Sequence, residues 1–90
     1  MTASYSKTKM EVVASPRRLA ILRAIRRSGP MSMSDLAREI GVTGGGVTQH
    51  VASLESHGIV RKDQGMHRTM VSIVPGSLDS ILDELRWLAS

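Results

Sequence analysis

Ninety residues supply chain for one domain and not two, and the absence of cysteine excludes a disulfide framework, thiolate metal sites and thiol catalysis. The apolar share of 41% includes no run near the ~18–20 residues of a membrane span, and MTASYSKTKM does not lead into the apolar stretch of a secretory signal, so a cytoplasmic, nucleoid-associated protein is expected. The net charge of +4 is uneven, with eleven basic and five acidic side chains in residues 1–74 but one and three in residues 75–90; with Tyr5 and Trp87 the only aromatics, base stacking is disfavoured and duplex DNA is the polyanion that fits.

In chain order, residues 1–9 are polar and basic without periodicity and read as a flexible tail, and Met10 to Ala14 as a short helical turn. Ser15-Pro16 opens a helix in which Leu19, Leu22 and Ile25 recur at helical spacing, helped by Ile21, until Gly29-Pro30 stops it. Met31-Ser32-Met33 reads as a short extended piece, and Ser34 as the cap of a second helix with Leu36, Ala37 and Ile40 apolar. Gly41-Val42-Thr43 connects to a third helix that runs to about His57, with Val47, Val51 and Leu54 on one face. Two helices across a tight Gly-containing turn form a helix-turn-helix. After Gly58, Ile59 to Lys62 and Thr69 to Val74 read as two strands joined by a loop over residues 63–68. Ser77 is expected to cap a last, amphipathic helix with Leu78, Ile81, Leu82, Leu85 and Leu88 apolar. The division predicted is a tail over 1–9, a body over 10–76 and a terminal helix over 77–90.

Four stretches carry a resemblance. Ala14-Ser15-Pro16-Arg17-Arg18-Leu19-Ala20-Ile21-Leu22 looks like "A-x-P-x-R-x-x-I-L", and Met33-Ser34-Asp35-Leu36-Ala37 is similar to "V-S-E-L-A". Val47-Thr48-Gln49-His50-Val51-Ala52-Ser53-Leu54 aligns with "V-S-x-H-L-x-x-L", and Gly58-Ile59-Val60-Arg61 matches "G-L-V" at the start of a wing. Together, over about residues 12–74, they resemble the winged helix-turn-helix of ArsR/SmtB-type regulators, with MarR-type repressors as near relatives. The resemblance implies an α+β, mainly α fold: a three-helix core, a two-stranded wing hairpin and a C-terminal dimerisation helix.

The resemblance further implies a dimeric, sequence-specific regulator of transcription, most readily a repressor, with residues 44–57 in the major groove and the wing, about 61–69, on the adjacent minor groove or backbone. Thr48 and Gln49 are the implied base readers, since a Gln amide suits adenine and a Thr methyl suits thymine; Ser53 shares their face. Arg38 is placed at a phosphate, Thr43 is read as capping the recognition helix, contacting a phosphate or doing both, and Arg61, Lys62, His67 and Arg68 are placed on the wing. Arg18 matches a family arginine with a structural role. Gly44-Gly45-Gly46 departs from the polar residues of relatives. It reads either as bare N–H groups against a phosphate or as a longer, looser turn with the helix starting near Gly46. The leucine stripe, Leu78, Ile81, Leu82, Leu85 and Leu88, is the expected homodimer interface.

Metal sensing is not expected, because the thiolates are missing and His50, His57 and His67 do not resemble a sensor cluster. No nucleophile–base–carboxylate pattern points to an enzyme, and no cofactor is implied. Two other readings stay open: a non-specific architectural DNA-binding protein, and a protein–protein module that docks a partner through the last helix.

Overall fold

The computed structural model describes residues 8–90; the remainder of the expected tail, residues 1–7, lies outside the described residues. Thr8 and Lys9 belong to an ordered element. The Thr8 hydroxyl oxygen accepts the Glu11 N–H at 3.2 Å and the Glu11 carboxylate accepts the Thr8 N–H at 3.1 Å, a reciprocal cap that opens α1 (Lys9–Val13). Ser15 and Pro16 start α2 (Pro16–Ser28), whose buried face is Ile21, Leu22, Ala24 and Ile25. Leu19, expected in that core, is 38% exposed, because at helical pitch it points away from Ile21 and Ile25.

The extended piece after α2 is a strand, β1 (Met31–Ser32), and it joins the wing. The cap of α3 (Met33–Ile40) is Ser32 and not Ser34: the Ser32 hydroxyl accepts the Asp35 N–H at 3.1 Å, and Ser34 stands one turn position inside, 3.3 Å from the Ser32 hydroxyl. Gly41 leaves α3 with φ 70°, the left-handed turn that reverses the chain toward α4 (Gly44–Ser56). At the far end of α4 the Gly58 N–H reaches the Glu55 carbonyl at 2.9 Å and the Ile59 N–H reaches that of Leu54 at 3.0 Å. Gly58 takes φ 70° there, and Leu54 and Ile59 are fully buried beside the turn, as a Schellman cap requires.

Ile59 therefore belongs to the helix end, and the strands are β2 (Val60–Gln64) and β3 (Thr69–Ile73). The sheet has three strands in the order β1-β3-β2, all antiparallel: β2 and β3 form the expected wing hairpin, and β1 adds a third strand to it. Met31 pairs with Val71 and Ser32 with Met70 on one side of β3, while Val60 pairs with Ile73 on the other. Ile21, Leu36, Val51, Leu54, Ile59 and Val71 are completely buried where helices and sheet meet. Each contributes roughly 1.5–3 kcal/mol by removing apolar surface from water.

Ser77 does not cap the last helix, α5 (Asp79–Ala89), which starts after Leu78 without a side-chain cap. Its buried hydroxyl donates instead to the Ile59 carbonyl at 3.0 Å, and Lys9 Nζ donates to the Ser77 carbonyl at 3.2 Å. These bonds and the burial of Ile81 hold the first turn of α5 against the body. Beyond Ile81 every residue of α5 is exposed.

Candidate nucleic-acid interface

The positions of α4 divide cleanly. Val47, Val51 and Leu54 are buried, and Gly44, Gly45, Thr48, Gln49 and Ala52 are exposed on the other side. Ser53, half-buried at the edge of that face, uses its carbonyl to accept from the Ser56 hydroxyl at 2.9 Å. Thr43 caps the helix, its hydroxyl oxygen accepting the Gly46 N–H at 3.1 Å. Thr48 donates its hydroxyl proton to the Gly44 carbonyl at 2.9 Å, so its methyl and an oxygen lone pair are what it offers outward. The Gln49 side chain makes no hydrogen bond among the described residues, and its amide donor and acceptor both face solvent.

The helix begins at Gly44, which corrects the reading of a looser turn with a start near Gly46. None of the three glycines has positive φ. A Cβ built on Gly44 or Gly45 would meet nothing within 4 Å; on Gly46 it would stand 3.3 Å from the Thr43 hydroxyl oxygen. Folding thus gives no reason for the first two glycines to lack side chains.

Four of the basic residues singled out from the sequence, Arg38, Arg61, Lys62 and Arg68, are each engaged with a carboxylate. Arg38 lies 3.4 Å from Asp35, and Arg68 of the wing approaches the same carboxylate at 4.0 Å, so α3 and the wing converge on Asp35. Lys62 reaches Glu55 of α4 at 3.3 Å. Arg61 pairs with Asp63 at 3.7 Å along its own strand, on the opposite face of β2 from Lys62. His67 is exposed in the turn between β2 and β3. Sequence reasoning missed Asp35 and Glu55, whose proximity to the wing depends on tertiary packing; alternation along the strand was the signal that would have separated Arg61 from Lys62.

Arg18 is a structural bolt. Its Nε donates to the Val12 carbonyl at 2.5 Å, and its guanidinium lies 3.5 Å from His50 Nδ1 on α4. Desolvation, then the charges of Arg18 and Arg17, hold His50 below its ordinary value of 6.5, so the ring is neutral near pH 7 and its Nδ1 accepts. Among the described residues no group of three His, Asp or Glu side chains is placed to hold a metal ion, and no helix is long and apolar enough to cross a membrane.

Of the five apolar residues expected to form the stripe, Ile81 is buried against its own body and Leu78 packs on the core edge. Leu82, Leu85 and Leu88 remain exposed, so the apolar stripe free for another chain is narrower than the five residues expected. Trp87, two positions from Leu85, is 74% exposed and points away from that stripe. An apolar groove lined by Val13, Leu19, Leu22, Ile73 and Leu78 lies between α2, β3 and the start of α5.

A family model described as a helix-turn-helix domain matches residues 13–63. The chain is 29% identical over 82 residues to the HTH-type transcriptional regulator NmtR of Mycobacterium tuberculosis, covering 91% of this chain and 68% of that one. Among solved structures it is similar to the AntR antimony-specific transcriptional repressor, at 27% identity and a TM-score of 0.71, over 90% of this chain and 74% of the other. It also superposes on the homodimeric winged helix-turn-helix DNA-binding domain of Mb0332 from Mycobacterium bovis, with 20% identity and a TM-score of 0.74 over 90% of this chain and 74% of the other.

Proposed function

This chain belongs to the helix-turn-helix domain family in its ArsR-type winged form and is a DNA-binding transcriptional regulator, and from that premise we propose that it is a dimeric repressor that reads duplex DNA with α4 in the major groove. The observation that carries this reading is the first two turns of α4. There Gly44 and Gly45 leave backbone N–H groups uncovered at a capped helix N-terminus, and Gln49 presents an unused amide on the same exposed side. Such a turn suits a phosphate, and such an amide suits the N6–N7 edge of adenine. Thr48 offers its methyl to a thymine, while Thr43, Arg38 and Ser53 stand where the sugar–phosphate backbone would run beside it. Arg61, Lys62, His67 and Arg68 flank the groove next to it. The ion pairs of the three wing cations are exposed enough to exchange a carboxylate for a phosphate at little cost.

The dimer is proposed from the surface that α5 leaves uncovered. Leu82, Leu85 and Leu88 of one copy match in character the groove of Val13, Leu19 and Leu22 on another, and the acidic Asp79, Asp83 and Glu84 stand beside them to meet Arg23 and Arg26 at the groove's rim. The similarity to the homodimeric Mb0332 domain supports a dimer. The similarity to the AntR repressor supports repression, and occupation of a site on the duplex is the mode proposed for it.

Selection from a randomised duplex pool at about 150 mM salt, where phosphate-only binding is already weakened, tests the reading. The expected result is an inverted repeat with half-sites about one helical turn apart. Gln49→Ala should then lose about 1–3 kcal/mol of discrimination at one position of each half-site. Binding without enrichment would replace this reading with a non-specific architectural role, and no binding would move the function to a protein partner on α5.

A further inference from the structure

The cations of the wing are held by carboxylates, and what the wing projects is something else. The register Gln64 to Thr69, closed by a 2.7 Å bond from the Gly65 N–H to the Arg68 carbonyl, leaves Met66 and His67 as the two residues of the turn. Met66 is 93% exposed, the highest value among the exposed large apolar side chains. Its surroundings on the wing are polar throughout: Arg61, Lys62, Asp63, Gln64, His67 and Arg68 are all exposed with it. A protein partner needs a contiguous apolar patch, and none surrounds this residue. A nucleic-acid groove needs only one apolar wedge between its sugar walls or at a base step. Methionine, unbranched and with a polarisable sulfur, suits so narrow a slot.

We propose that Met66 is the residue by which the wing enters the minor groove of duplex DNA, seated by apolar contact while Lys62 and Arg68 exchange Glu55 and Asp35 for phosphates on either side. The proposal rests on the reading of this chain as a duplex binder.

The test measures fluorescence anisotropy of a labelled duplex recovered from the selection, with wild type, Met66→Leu and Met66→Gln across a salt series. Met66→Gln keeps the length of the side chain but not its apolar character. It should weaken binding at least about five-fold, as loss of one buried apolar side chain implies. The slope of affinity against salt should not change, since no phosphate contact is lost. Met66→Leu should bind like wild type. Thermal midpoints of both variants should equal that of wild type, because the side chain touches little of its own protein. Met66→Gln binding as tightly as wild type overturns the wedge and leaves the regulator standing. So does a weakened Met66→Gln whose salt slope has fallen. A wild-type chain that binds no duplex overturns the regulator reading, and the wedge with it.

Discussion

Gly44 and Gly45 sit in helical conformation at the start of α4 with open space where side chains would be. Glycine in a helix costs up to about 1 kcal/mol against alanine through the entropy of the unfolded backbone. Gly45→Ala should therefore stabilise the isolated protein by about 0.5–1 kcal/mol, raising its thermal midpoint by several degrees. The same change puts a methyl where the proposed phosphate approaches, and duplex affinity should fall. Calorimetry and anisotropy on one preparation separate the two effects. A variant that is more stable and binds as before would show that the bare turn has no role at the phosphate. Gly46 differs from its neighbours, since a Cβ there would crowd the hydroxyl that caps the helix.

Among elements, the join between α1, α2 and α4 runs through Arg18, which spans from the Val12 carbonyl to His50. A guanidinium only donates, so the contact requires a neutral His50. Burial and the two neighbouring arginines lower the His50 value in the folded protein, and the unfolded chain, with a value near 6.5, takes up a proton first as pH falls. Stability is thus complete above the unfolded value and declines as pH drops through and below 6.5. His50→Gln should flatten that decline in a series of urea melts between neutral and mildly acidic pH. An identical pH profile in the variant would assign the acid sensitivity elsewhere.

At this same scale the sequence was most and least informative. The helix-turn-helix was legible because Val47, Val51 and Leu54 repeat at helical spacing and Gly41 and Gly58 mark the ends. β1 was not legible as a third strand, because two residues carry no period and its pairing with Val71 and Met70 is made across 38 or more positions of chain. Ser32 and Ser34 are equivalent as caps by residue type; the pairing of Ser32 with β3 places the extended residue first. Ser77 looked like a cap from its place before a leucine-rich run, yet its hydroxyl is drawn to the Ile59 carbonyl, a partner eighteen positions away. The candidate site divides in the same manner. Which residues line the outer face of α4 follows from periodicity, whereas the pairing of Arg68 with Asp35 and Lys62 with Glu55 exists only once the wing folds over the helices.

For the whole molecule, α5 is the element with unfinished packing. Its first turn is fixed by Ile81, and Leu82, Leu85 and Leu88 beyond it face water. Burying two or more of these leucines would contribute roughly 1.5–3 kcal/mol each. Leu85→Glu should convert the proposed dimer to a monomer in sedimentation velocity and, by separating the half-sites, weaken binding to an inverted repeat far more than to a single half-site. A dimer that survives the substitution would place the interface on another face. Because Leu85 is exposed in the single chain, the folded monomer should keep its helical circular dichroism.

The sheet ends on both sides in a strand that could add another. β1 is only two residues long, and β2, apart from Val60, consists of Arg61, Lys62, Asp63 and Gln64. Short length guards one border and charge guards the other, and open borders are where chains in crowded solution zip into larger sheets. The side chains that face the duplex in the proposed complex therefore also guard against aggregation. A wing stripped of its charges would do more than lose phosphates: it would leave a bare, extended border on which the strand of another molecule could grow.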